Sequence, residues 1–413
     1  MLSTDPTNAA PTATVDKKKI VILGAGFGGV YTFLRLHQIY HHDPAVSISI
    51  INRDNYFLFT PLLHEVATGG VAQDNIIYNI RSLLDCCLAR FIKAEVLEVD
   101  LESKEVHTDK GAIAYDVLVH ALGADTNFFE LDEQSRSRTF TLKKLADAKS
   151  IKNKIVDLFE DGPEAISIVV AGGGPTGVEL SAELSELLED LTTLFPERNE
   201  DDISLHLIHG ETRLLSAFHT DLGDKARRVL DKKGVEVILK DPIVSIEEDT
   251  VTTKSGRRVA ATMVIWTAGV KPNKISYLPE LRTDKRGRID VSEFLSVPER
   301  PEIFVVGDAA AIPGMPMTAQ GATASATAAA DNIYYFLENK LQRRFVYEHK
   351  GDLFSLGQWM AGAELYRIRF FGHFAWWLWR TIYLSKVVGT RNKLKVAFDW
   401  TINLFMPRDL NRY

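Results

Sequence analysis

At 413 residues, 46% of them hydrophobic and 25% charged, the chain exceeds one ordinary domain and has the composition of a globular protein with a buried core. Its net charge of −7 excludes a general nucleic-acid binder. The charge is uneven: residues 341–413 hold 12 Lys/Arg against 5 Asp/Glu, so +7 there faces −14 on the first 340, which directs the tail toward an anionic membrane or the acidic body of a subunit.

In chain order, residues 1–16 are rich in Ala, Thr and Pro and hold no Lys, Arg or apolar run. They read as a disordered lead-in rather than a signal peptide. The apolar run from Lys19 to Leu23, the glycines that follow and a second run from Val46 to Ile51 predict a strand, a tight turn, an amphipathic helix and a parallel strand. Cys86 and Cys87 are neighbours that cannot form an ordinary disulfide, and there is no Cys-x-x-Cys or Cys/His cluster. They read as packing residues in a reducing compartment, and no metal is expected. The stretch from Tyr115 to Gly123 is a strand closing on Gly, as needed where backbone passes close to a ligand.

The opening pattern recurs 148 residues on, from Ser167 through Gly172, Gly174 and Gly177, with a strand from Ile203 to Ile208. Ala261 to Gly269 then echoes the strand that ended at Gly123. A last strand, Ile303 to Val306, runs into Gly307-Asp308, and an Ala/Thr-rich stretch leads into a helix ending near Leu341. After Tyr347 the composition turns aromatic and basic. No run reaches about 18 uninterrupted apolar residues, so no transmembrane helix is expected.

Gly24, Gly26 and Gly29 fit G-x-G-x-x-G, and Gly172, Gly174 and Gly177 fit it again. In this fingerprint the first Gly makes the turn, the second lets a pyrophosphate approach backbone, and the third lets helix pack on strand. Two matches in a strand-turn-helix context predict an α/β protein with two Rossmann-like dinucleotide-binding domains. The acid usual after the second strand is absent from both: Asn52 stands at the first site, and His209, with Glu211 and Arg213 nearby, at the second. Asn can still bond ribose hydroxyls, whereas the displaced carboxylate leaves NADH against NADPH open. Glu179, two residues beyond Gly177, is either an acid favoured by the helix dipole or a carboxylate beside nicotinamide or substrate.

With both motifs in place, the chain resembles the type II NADH:quinone oxidoreductases from about Lys17 to Tyr413. The likeness is carried by Asn55 to Leu63, Glu65 to Gly69, Gly172 to Leu180, Trp266 to Val270 and Phe304 to Ala309, then by Trp379-Arg380, Arg391-Asn392, Asp399-Trp400 and Arg408-Asp409. The resemblance implies an FAD domain from residues 17–143 and 280–345, an NAD(P)H domain at 144–279, and a membrane-anchoring region at 346–413. It implies that Gly24, Gly26, Gly29, Asn52, Thr60, Pro61, Gly123, Asp308, Ala319 and Gln320 hold FAD, with Asp308 on the ribityl chain. Gly172, Gly174, Gly177, Glu179, Glu211 and Gly269 would hold NADH, preferred over NADPH because Glu211 can reach the ribose and no arginine cluster replaces it.

It further implies a quinone headgroup site at an Ala-Gln-x-Ala-x-Gln motif. Here the motif reads Ala319-Gln320-Gly321-Ala322-Thr323-Ala324, keeping the first Gln and replacing the second, so the quinone is left open. Gln320 and Glu179 are the candidate catalytic residues, although an amide at 320 could equally only bond backbone. The tail places Trp376, Trp377, Trp379 and Trp400 among cations on two short segments, which suits a membrane interface; a subunit interface is the alternative. The enzyme so described oxidises NADH through FAD, reduces a quinone without pumping protons, and works as a homodimer peripheral to the cytoplasmic face of the inner (plasma) membrane. A soluble protein acceptor, or a slow flavin redox sensor, are the competing readings.

Overall fold

The run Lys18–Leu23 places its last four residues in the core and pairs on both sides, as a strand hydrophobic on both faces must. The computed structural model describes residues 17–406 and 408, apart from 42, 44, 85–88 and 367; the lead-in and Cys86–Cys87 lie outside the described residues. The first sheet runs Ser296–Val297, Arg300–Val305, Val117–His120, Lys18–Leu23, Val46–Asn52, Ala89–Lys93, parallel except at the first pair. The strand from 300–305 thus returns from the far end of the chain to lie beside 117–120. The helix Ala319–Leu337 returns with it and packs on the first glycine-motif helix, Phe27–Tyr40.

The second sheet is wholly parallel in the order Thr139–Thr141, Met263–Trp266, Ile166–Ala171, Ile203–Ile208, Val235–Ile238. The chain passes between the two units on an antiparallel ribbon, Ala124–Thr126 with Val270–Pro272. Two strands fall across the boundaries read from the sequence. Thr139–Thr141 pairs into the second sheet, and Ser276–Leu278 pairs with Val96–Asp100 beside the first. The crossing happens at the ribbon, which no change of composition marks.

The tail forms an antiparallel sheet, Gly351–Ser355, Ala361–Leu365 and Ile368–Phe371, followed by helices His373–Lys386 and Thr390–Ile402. Among the described residues no helix is long and apolar enough to cross a membrane. One correction concerns the tryptophans. Trp376 and Trp379 are each 1% exposed and Trp400 4%, so three of the four supposed interface anchors are core. They pack together because His373–Lys386 folds back on the tail sheet and Thr390–Ile402 packs on that helix: Trp379 stacks on Tyr383 at 4.5 Å and lies 5.6 Å from Trp400. The apolar side chains left outside on these helices and just beyond them are Trp377, Phe374, Leu394, Phe398, Phe405 and Met406, each more than half exposed.

Candidate functional site

The glycine turns account for their own sequence. Gly24 has φ +94°, and a Cβ there would sit 2.5 Å from the Ala121 carbonyl oxygen; one on Gly29 would sit 1.9 Å from the Gly24 carbonyl oxygen. A Cβ on Gly26 would meet nothing within 4 Å. That Gly is crowded by no neighbour in the protein and faces open space. The second turn repeats the pattern: Gly172 and Gly177 are crowded by backbone, and Gly174 faces open space.

In front of the first turn lies a cavity of about 400 Å³ whose lining includes Gly24, Gly26, Asn52, Thr60, Gly123, Asp308 and Ala319. Sequence reasoning missed Arg53, Lys143 and Lys274, which bring three cations to the same lining. The residues fit the expected FAD: open backbone at a helix N-terminus and nearby cations suit a pyrophosphate. Asn52 Oδ1 accepts from Ala25 N at 3.1 Å while its Nδ2 donates to the Asp54 carbonyl at 2.9 Å, so its amide also braces the turn. Burial pushes the Asp308 carboxyl up and Lys143 opposes this. Pro61 forms the short 3-10 turn Thr60–Leu62 behind the lining.

The two candidate catalytic residues are brought instead to one strand of the tail. The Gln320 amide, oriented to satisfy both neighbours, donates to the Gly351 carbonyl at 3.2 Å and accepts from Lys350 N at 3.3 Å. Glu179, 6% exposed, accepts from Ser355 N at 3.1 Å. Burial pushes the Glu179 carboxyl up to about 8; the Ser355 N–H opposes this, and Glu65 and Glu183 reinforce it. Glu65 is likewise pushed up to about 8 by burial and by Glu183, against a hydrogen bond from Trp400 Nε1. His64, with Nδ1 4.0 Å from Glu179 and Nε2 3.5 Å from Ser355 Oγ, is pushed down to about 3 by burial and Arg408, so it is neutral.

The sequence reading missed this cluster: His64 and Glu65 on Leu63–Ala67, Glu183 and Glu186 on Pro175–Leu194, and Arg408. Its one legible signal was the helical spacing of acids after Glu179 on an otherwise apolar helix. In the second unit Glu211 is exposed, with a carboxylate oxygen 3.9 Å from His209 Nε2. Arg213 is committed to the Phe218 and Ser216 carbonyls at 2.9 and 2.6 Å. Gly269 faces Phe129 across from the second glycine turn, where a Cβ would touch that ring at 3.1 Å.

Comparison with known proteins matches residues 18–326 to the family of pyridine nucleotide-disulphide oxidoreductases and 349–409 to the NDH2 C-terminal domain. The type II NADH:quinone oxidoreductase NdhA of Mycobacterium tuberculosis is 30% identical over 96% of this chain and 89% of its own. The type II NADH:quinone oxidoreductase of Staphylococcus saprophyticus is 28% identical over 92% of this chain and 96% of its own. Among solved structures, NDH2 from Plasmodium falciparum in complex with NADH aligns with a TM-score of 0.88 over 96% of this chain and all of that one; at 19% identity this likeness shows the fold.

Proposed function

The chain belongs to the type II NADH:quinone oxidoreductases, within the pyridine nucleotide-disulphide oxidoreductase family, and we propose that it oxidises NADH and reduces a quinone with the groups described above. The observation that carries the assignment is the cavity before Gly26, walled by Thr60 and Asp308, with a separate buried acid, Glu179, one helix away. FAD bound there supplies the two-electron chemistry between the substrates. The turns at Gly26 and Gly174 take the two pyrophosphates on open backbone, Asn52 meets the ribose hydroxyls of FAD, and Asp308 holds its ribityl chain. Gly269 and Glu211 receive NADH, with Glu211 placed to repel a 2′-phosphate and Arg213 unavailable to attract one.

For the acceptor, Glu179 carries a proton at neutral pH and is the group that we assign to deliver it to a quinone oxygen. Gln320 orders the strand start at Lys350–Gly351, and its amide is the nearby donor assigned to a carbonyl oxygen. The exposed apolar side chains Phe374, Trp377, Leu394 and Phe398, with the exposed Arg391, form the face that we assign to an anionic membrane, on the cytoplasmic side of the inner (plasma) membrane. The same reading takes the chain as a homodimer, which light scattering checks.

Steady-state NADH oxidation with a short-chain quinone, with and without anionic vesicles, tests the proposal. Rapid turnover that bleaches and restores a flavin band is the expected result. Turnover with a protein acceptor alone, or a long-lived reduced state that quinone does not reoxidise, rejects it.

A further inference from the structure

We propose that Arg408 is a positioning residue for quinone reduction: it latches the C-terminal segment onto an acidic stripe of the Pro175–Leu194 helix and thereby holds Glu179 in its working place and charge. The inference rests on the assignment of Glu179 to the acceptor made above. Glu179, Glu183, Glu186 and Asp190 follow one another at steps of four, three and four residues, so they line one face of the helix. Three of these carboxyls are buried or nearly so, and carboxylates in such surroundings require a cation. Arg408 is 7% exposed and supplies it. One guanidinium nitrogen donates to Glu183 at 2.6 Å and to Thr68 Oγ1 at 3.2 Å, another donates to Glu186, and Nε lies 3.7 Å from Asp190. One fork thus ties together the helix, the segment behind Thr60–Leu62 and the end of the tail.

The path to Glu179 is short. The Glu186 carboxylate, held by Arg408 and by Lys233 at 2.6 Å, accepts from Gln358 N at 2.7 Å. Three residues earlier, Ser355 N donates to Glu179. The turn 355–358 therefore hangs between two acids of the stripe, and Arg408 fixes the outer one. The titratable groups that face Glu179 are His64 and Glu65 from the short helix, Glu183 from its own and Tyr383 from His373–Lys386; Arg380 and Arg408 stand one step further out, acting on Glu65 and Glu183. Arg380 adds charge near Glu65, Glu183 and Glu186 but is stacked over Trp376 at 3.7 Å and bonds the Trp400 carbonyl, so it does not supply the fork that Arg408 makes to the stripe. A cavity of about 20 Å³ between Glu65, Glu183, Arg380 and Arg408 has room for one water.

The test is a double-mutant cycle on the full-length, FAD-loaded enzyme, read by stopped-flow. Flavin reduction by NADH and reoxidation by a short-chain quinone are followed separately from about pH 6 to 10 for Arg408→Met, Arg408→Lys, Glu179→Gln and the Glu179→Gln/Arg408→Met pair. Arg408→Met is expected to slow reoxidation roughly tenfold or more while reduction stays within about twofold. Its alkaline limb moves upward, because the loosened Ser355 N–H favoured the charged carboxylate and the Glu183 charge that opposes it is no longer offset by the guanidinium. Arg408→Lys, which keeps the charge without the fork, falls between, and it carries the test alone if the Met variant does not fold. In the double variant the Arg408 effect disappears, since it acts through Glu179. Additive losses, an unmoved alkaline limb, or equal slowing of both half-reactions would overturn the proposal and leave Arg408 a plain structural staple. A Glu179→Gln variant with normal reoxidation would instead remove the assignment on which it rests, and is read independently of Arg408.

Discussion

The three glycines of one turn differ in what they answer to, and substitution separates them. Gly26→Val puts its side chain into open cavity, so the protein should fold and purify without its flavin absorbance. Gly29→Ala drives a methyl into the Gly24 carbonyl and should cost about 1–3 kcal/mol or more, seen as a lowered melting temperature even with FAD in excess. Full flavin content in the first variant contradicts the assignment of the cavity. The buried acids give a pH dependence with a definite sign. Glu65 and Glu179 have proton affinities raised in the fold from near 4.5 to about 8, so their contribution to stability is intact below the ordinary carboxylate range and is lost as pH rises through about 8. From these two acids the melting temperature should therefore fall between about pH 5 and pH 8 and level off above, and less steeply for Glu179→Gln. A curve identical to that of the parent protein speaks against a proton on Glu179. For the nucleotide, Glu211→Ala should narrow the preference in kcat/KM for NADH over NADPH, because the carboxylate that repels a 2′-phosphate is gone while Arg213 stays tied to carbonyls.

At the scale of the element, the two tail helices each have an inner and an outer face. Trp379→Ala should destabilise by about 3–5 kcal/mol, the cost of an emptied core aromatic. Trp377→Glu with Phe398→Glu should leave the melting temperature nearly unchanged yet release the protein from anionic vesicles in a flotation assay. Retention of the double variant on vesicles would move the anchoring face elsewhere. Truncating the tail after Arg391 is a poor test of anchoring, since it also removes Trp400 and Arg408, which are buried against Glu65 and Glu183. The sequence showed tryptophan and cation density but not which rings face inward, because that depends on the angle at which the helices fold onto the 351–371 sheet.

For the whole molecule, the tail rests on both nucleotide-binding units. Phe354 packs edge-on against Phe218 at 5.0 Å and Glu364 accepts from His219 N at 3.0 Å on the second unit, while Asp399 accepts from Ala72 N and Asn75 on the first. A single cooperative melting transition is expected in calorimetry, with FAD raising the whole of it; two separated transitions would mean that the units unfold independently. The amino-acid sequence by itself determined the two parallel sheets and the two glycine turns, since apolar runs and glycines report local geometry that neighbours in the chain largely impose. It also named Asn52, Gly123 and Asp308, which line the cavity before the first turn, through the family pattern. The return of Arg300–Val305 to the first sheet was legible only through the family likeness, while the passage of the chain across 124–126 and 270–272 and the burial of three tail tryptophans were decided by tertiary structure alone. So was the meeting of Glu65, Glu179, Glu183 and Arg408, residues up to 343 positions apart in sequence. Their proton affinities follow from desolvation and from one another's charge, and neither quantity exists until the tail has closed over the helix.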